Sequence, residues 1–371
     1  MKRILAGLVA AAIGAFALTG AGGAVSANAQ ANSVKVNAGN GEPGYAVNAF
    51  LPDSITITTG TTVSWQFPWI EPHTITFGTV TATTKPSPSP ATYDGTGVLT
   101  SDLTFGNPNG SVPPFEVKFT KAGSFKYSCE IHPFMTGTVT VVNSGNVDSQ
   151  STIDQRRTNN YVNRLGELKT IAAGLGAQGV SVTPMASGGN KYTLNIGPAT
   201  RAGDDVMQFI PGAAKITAGD TVEWKALAPT PHTVTFGPLN PPPGPGFDPF
   251  AVPPSKPAAG YDGTGFVNSG IMTASPPGAP ADPNEIKSFE LKFTKAGTYQ
   301  YYCILHADQA MVGQIMVEAA PPPPTRAPGP PNTGTGTESG ATSWMLLAGV
   351  VLVAVVLGGG SVLAVRREGT R

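Results

Sequence analysis

FEVKFTKAGSFKYSCEIHPFM, residues 115–135, alternates, turns, alternates again and closes on a cysteine, a histidine and a methionine. Phe115, Val117 and Phe119 are interleaved with Glu116 and Lys118, and Lys121-Ala122-Gly123 turns the chain into Phe125, Tyr127 and Cys129. A period of two marks a strand with one buried face, so this stretch reads as a strand, a turn, a second strand and a loop rich in donor atoms. It occurs again as FELKFTKAGTYQYYCILH, residues 289–306.

The likeness extends upstream. FLPDSITITTGTTVSWQFPWIEPHTITFG, residues 50–78, lies over FIPGAAKITAGDTVEWKALAPTPHTVTFG, residues 209–237. Phe50, Pro52, Gly60, Val63, Trp65, His73, Thr74, Phe77 and Gly78 all recur 159 positions later, and Tyr93-Asp94-Gly95-Thr96-Gly97 recurs as Tyr261-Asp262-Gly263-Thr264-Gly265. By residues 115 and 289 the offset has grown to 174, much of the growth falling in Pro-rich stretches where surface loops tolerate insertion. A unit this long is a duplicated domain rather than a short solenoid repeat.

Each copy predicts an all-β domain. Ile55, Ile57, Val63 and Trp65 share a face around a turn at Gly60, and short alternating strands with turns between them point to a β-sandwich. Between the copies, Tyr161, Leu165, Leu168, Ala172 and Leu175 follow helical spacing, which predicts a connecting helix packed on one of the domains. The 371 residues carry a formal net charge of zero, so no basic footprint for nucleic acid is expected.

The two ends stand apart. Lys2 and Arg3 precede an apolar run from Ile4 to Leu18, and small residues around Ala27-Asn28-Ala29 follow, the plan of a secretory signal over residues 1–29. Trp344 to Val365 is uncharged, apolar and long enough to span a bilayer, with Arg366 and Arg367 placed to stay cytoplasmic. A Pro/Gly/Thr-rich linker, residues 320–343, separates it from the rest. Within that linker Pro330-Pro331-Asn332-Thr333-Gly334 resembles the sorting signal of sortase-anchored bacterial surface proteins, with Pro where that signal has Leu. The expected order is a signal peptide (1–29), a first domain (33–143), a linker with a helix (144–178), a second domain (179–319), the second linker, a membrane segment (344–365) and a basic tail (366–371). The product is then extracytoplasmic, held on the cell membrane by one C-terminal pass and open to wall attachment.

The chain has four histidines and two cysteines, and all six fall at matched positions of the repeat. Each copy supplies an upstream His, then Cys-x-x-His, then a Met: His73, Cys129, His132 and Met135 in the first, His232, Cys303, His306 and Met311 in the second. An exported protein with two cysteines could instead bridge them, Cys129 to Cys303. The pairing of each cysteine with its own two histidines argues against that and for metal ligation. Two neutral imidazoles, a thiolate and a weak axial thioether suit copper in both oxidation states, whereas zinc rarely takes Met and prefers a fourth strong ligand.

At these residues both halves resemble the cupredoxin family of small blue-copper proteins. CEIHPFM has the Cys-x2-His-x2-Met spacing of the amicyanins, and CILHADQAM has the Cys-x2-His-x4-Met spacing of the plastocyanins. The resemblance implies two tandem Greek-key β-sandwiches, a type-1 copper at each ligand set, and electron transfer to redox partner proteins that dock where the second histidine of each loop, His132 or His306, reaches the surface. Pro133, Phe134, Pro68, Trp69 and Ile70 would rim the first site, and Leu305, Ala307, Pro229 and Pro231 the second. Copper oxidases and nitrite reductases build on the same fold but need further histidines for a catalytic copper, and none is left over here. The expectation is therefore an electron carrier, not an enzyme, with copper capture or delivery at the cell surface as the alternative. For the axial ligand of the second site Gln309 competes with Met311. Met311 is preferred because Met-x-Gly leads into the next strand in both copies.

Overall fold

The structure, a computed structural model, describes residues 32–239, 247–275 and 282–322. The expected signal peptide, most of the Pro-rich linker, the apolar segment and the basic tail lie outside them. Among the described residues no helix is long and apolar enough to cross a membrane.

Each half forms two packed sheets, as the alternation requires. In the first, one sheet runs Tyr45–Leu51, Ser33–Glu42, Thr62–Gln66, Phe115–Phe119, Ala91–Tyr93, and the other runs Ser54–Thr58, Thr136–Val142, Gly123–Ser128, Thr76–Phe77, Leu99–Thr100. The second half repeats the plan, with Asn190–Ile196, Thr221–Ala226 and Ser288–Lys292 in one sheet and Ala213–Thr217, Val312–Glu318, Gly297–Tyr302, Thr235–Phe236 and Val267–Asn268 in the other. Recurrent residues make recurrent contacts. Trp65 is fully buried edge-on to Tyr127 with ring centroids 5.2 Å apart, and Trp224 meets Tyr301 in the same way at 5.2 Å. Loss of either indole would cost about 3–5 kcal/mol. The recurring Asp-Gly-Thr-Gly is a turn: Asp94 and Asp262 each accept from the backbone N–H (3.0 Å) and hydroxyl (2.6 Å) of the threonine two residues on.

The helix between the copies runs Gln150–Gln178, capped by Ser149, whose side chain accepts from the Thr152 N–H. Here the structure corrects the expectation that it packs on a single domain. Leu165, Leu168 and Ala172 face Val47, Ala49 and Leu51 of the first half and Val206 and Ile210 of the second, forming a third core between the sandwiches. Lys169 pairs with Glu42 at 2.7 Å and Arg164 with the buried Asp204 at 2.8 Å, one tie to each side. A second-half strand, Asp205–Val206, also extends the first half's sheet by pairing antiparallel with Ala46 and Tyr45. Covering an edge strand this way removes unpaired backbone groups and joins the halves by main-chain bonds.

Candidate metal centres

In the first half His73 ends the short strand Pro72–His73, which pairs with Thr104–Phe105. Cys129 follows the strand Gly123–Ser128, and Met135 precedes Thr136–Val142. These two antiparallel strands close the loop between them: the Cys129 N–H donates to the Met135 carbonyl (3.0 Å) and the Met135 N–H to the His132 carbonyl (2.9 Å). The second half repeats both bonds, Cys303 to Met311 and Met311 to His306, each at 3.1 Å. Met311 therefore occupies the backbone place of Met135 although its loop is longer, and both methionines are buried in the core that holds their cysteine.

Three donor atoms meet in each half. At site one the Nδ1 atoms of His73 and His132 are 3.2 Å apart, and Cys129 Sγ lies 4.0 and 3.5 Å from them. At site two the corresponding separations are 3.1 Å between His232 and His306, and 4.0 and 3.4 Å from Cys303 Sγ. Atoms so spaced share a point about 2 Å from all three, the length of a metal–imidazole bond. Each sulfur also receives a backbone N–H, from Thr74 at 3.4 Å or Thr233 at 3.3 Å.

Burial sets the protonation. Desolvation lowers His132 and His306 to about 4, and it holds His73 and His232 well below the ordinary histidine value, with the facing imidazole adding to the effect. Both rings of each pair are therefore neutral near pH 7, as metal ligands must be. Desolvation pushes the Cys303 thiol up to about 11, so a metal arriving there displaces a proton. Two imidazole nitrogens and a buried sulfur converge on one point in each half, and the donor set fits copper.

Sequence reasoning missed two glycines. A Cβ on Gly39 would sit 2.1 Å from His73 Nε2, and one on Gly197 would sit 2.1 Å from His232 Nε2. Both have positive φ, +70° and +51°. Each glycine thus lets the back of the upstream imidazole press against main chain and turns its Nδ1 toward the sulfur. The two glycines lie 158 positions apart, Gly39 inside the strand Ser33–Glu42 and Gly197 just past Asn190–Ile196, both ahead of the aligned blocks, and only the repeat could have singled them out.

Both cysteines are free and each lies buried in its own core, so they are not bridged. The structure differs from expectation on two further points. His132 is partly exposed as foreseen, but His306 is only 6% exposed. Trp69 and Ile70 do not rim site one; they pack with the second half's core. The cause is Gln309, which accepts from Trp69 Nε1 at 3.2 Å, donates to Glu71, and uses its carbonyl to accept from the Gly44 N–H at 2.9 Å. The glutamine considered as an axial ligand has its side chain committed to the other half. Glu71 also brings Oε1 to 3.7 Å from His306 Nε2. This is not an ion pair near pH 7, because burial raises Glu71 to about 7 and lowers His306 to about 4.

The model of the copper binding proteins of the plastocyanin/azurin family matches residues 32–142 and 197–318. The chain belongs to that family. It is 29% identical over 147 residues to a chloroplastic plastocyanin of Tetradesmus obliquus, across 40% of this chain and 79% of the relative. It is 28% identical over 116 residues to a plastocyanin of Vicia faba, across 31% of this chain and 93% of the relative. Among solved structures, a Cu(I) amicyanin variant matches at 21% identity over 34% of this chain and 82% of its own, with a TM-score of 0.21. A fern plastocyanin variant matches at 21% identity over 34% and 99%, with a TM-score of 0.21. Two tandem cupredoxin domains, each with one His/Cys/His group that could bind copper, are thus present in one chain.

Proposed function

We propose that the chain is an extracytoplasmic blue-copper electron carrier with one type-1 site per domain, held by His73, Cys129, His132 and Met135 and by His232, Cys303, His306 and Met311. Membership of the copper-binding family supports a copper-binding, electron-transfer role. The observation that carries the two-site reading is the near-identity of the donor triangles in the two halves. Copper supplies the one-electron couple Cu(I)/Cu(II) at such a site. The residues supply the rest. The imidazoles stay neutral, the thiols would release their protons to solvent as the metal binds, and the surrounding core keeps water out. Folded strands hold the donor atoms in place, so little rearrangement accompanies a change of charge.

Partner proteins would dock at the His132 end, where Ile131 and Phe134 are 45% and 60% exposed. Small interfaces of that kind release quickly. Residues 344–365 would hold the carrier on the membrane, with residues 330–334 as a wall-sorting signal. No histidine or cysteine remains for a catalytic copper, which favours a carrier over an oxidase. Burial of five of the six His and Cys donors favours copper retention over delivery.

The test is copper stoichiometry together with the visible spectrum of the purified chain. Two coppers and an intense thiolate-to-copper band are expected. Cys129→Ser should remove about half of that band, and adding Cys303→Ser should remove the remainder. A Cys129–Cys303 disulfide in the copper-loaded protein would overturn the assignment, since one sulfur cannot serve both roles.

A further inference from the structure

The two donor sets differ in what lies beyond their second histidine. At site one that histidine is partly exposed and flanked by the exposed Ile131 and Phe134. At site two the matching edge faces inward: His306 is 6% exposed, Glu71 7%, Gln309 2% and Trp69 7%. When a ligand histidine binds metal through Nδ1, its Nε2 carries the proton and seeks an acceptor. For His306 the group in front of Nε2 is the Glu71 carboxylate of the other domain, and Glu71 stands next but one to the site-one ligand His73.

We propose, on the reading of both sets as copper sites, that site two trades electrons with the outside only through site one, by an internal relay across the His306–Glu71 contact and along Glu71-Pro72-His73. In the loading direction Cu(I) at site one becomes Cu(II) as Cu(II) at site two becomes Cu(I). One electron moves, no proton or further reactant is needed, and the reverse step empties the store. The chain then holds two electrons and exposes one window.

The contact is built, not incidental. The ligand loop of site two is tied to the first domain through Gln309 at Trp69, Glu71 and Gly44. The residues that make the contact are those on which the copies disagree. Trp69-Ile70-Glu71 stands where the second copy has Ala228-Pro229-Thr230, and the second ligand loop carries two more residues between His and Met than the first. Nearby, Asn48 holds the second domain's Asp204-Asp205 through its backbone N–H (2.9 Å) and side-chain amide (2.8 Å), beside the shared strand pairing. An interface of main-chain pairing, buried polar bonds and a common apolar core keeps the two edges together through many turnovers.

Two measurements test this. In the copper-free full chain, diethyl pyrocarbonate should modify His132 while leaving His306 at least about ten-fold slower, read by peptide mass spectrometry. Equal reactivity of the two histidines would overturn the occlusion on which the relay rests. In copper-loaded Cys129→Ser the surviving site-two band shows that the domain is folded. Reduced cytochrome c should bleach that band more than about 1,000-fold more slowly than the site-two share of the band in the two-copper chain, outside the roughly one to three decades by which association rates vary among variants of one surface. Dithionite, a small reductant, should still bleach it. Bleaching by cytochrome c at the two-copper rate would overturn the relay while leaving two working copper sites. A chain that shows no thiolate-to-copper band, or one that dithionite fails to bleach, would overturn the copper-site reading itself and the relay with it.

Discussion

Site one and site two have nearly the same donor triangle, yet the first borders solvent and the second borders another domain. The difference separates two properties that are easily run together. Ligation is local: it depends on a strand end, a loop closed by two backbone bonds and a glycine behind the upstream ring. Access is not local. It is decided at site two by Trp69, Glu71 and Gly44, residues far from Cys303 in the chain.

The largest expected effect tests whether ligation is as local as this comparison holds. Gly39→Ala should push His73 off its position and lower copper affinity at site one by about 100-fold, leaving site two loaded, and Gly197→Ala should do the reverse. Copper counting with the residual visible band of each variant reads the outcome. Loss of both coppers from one substitution would mean that the sites are not independent in ligation.

Gln309→Ala should act on access rather than on ligation. It leaves Trp69 Nε1 and Glu71 without their buried partner and should cost about 1–3 kcal/mol in denaturant unfolding, with two coppers still bound. An unchanged stability would show that the interface does not depend on it.

The pH dependence of the copper-free chain sharpens the same contrast. Burial lowers the four histidines, so their contribution to stability is present above the unfolded value of about 6.5 and is lost as pH falls below it, through about 4 for His132 and His306. Burial raises Glu71 to about 7 and Asp205 to about 8, so their contribution is present at low pH and is lost as pH rises through those values. The four histidines outweigh the two interface acids on the acid side, and only the acids act above. Thermal unfolding should therefore be most resistant close to about pH 6.5 and fall by a few degrees toward about pH 9. A profile flat from about pH 6.5 to 8 would mean that neither acid is buried as described.

The smallest expected effect concerns the axial position. Met311→Leu should keep its copper and raise that site's potential by on the order of 60 mV, a tenfold preference for Cu(I). Gln309→Ala should leave the potential unmoved. A large shift with Gln309→Ala and none with Met311→Leu would return the axis to the glutamine.

By itself the sequence determined that two cupredoxin halves are present and that each carries a matched His, Cys, His and Met. Alternation with a period of two carries a strand wherever one face is buried, and the cysteine, second histidine and methionine are a few residues apart on one tight loop. Duplication then distinguished coincidence from pattern, since His73 and His232 recur in the same Pro-His-Thr setting. Tertiary structure alone decided how the copies meet. The helix Gln150–Gln178 was legible as a helix from its spacing, but not that its apolar stripe touches both sandwiches, because spacing shows a face and not its occupant. Likewise Asp205–Val206 is too short to announce a strand and gains its partner from Tyr45 and Ala46. The burial of His306 was hidden for the same reason. Gln309 meets Trp69 across 240 positions of chain, and no local propensity encodes a contact of that range. The one written trace was asymmetry: Glu71 against Thr230, and two extra residues in the second ligand loop. Divergence between duplicated copies marks where they stopped being equivalent, and only the folded chain shows that each such change faces the other domain.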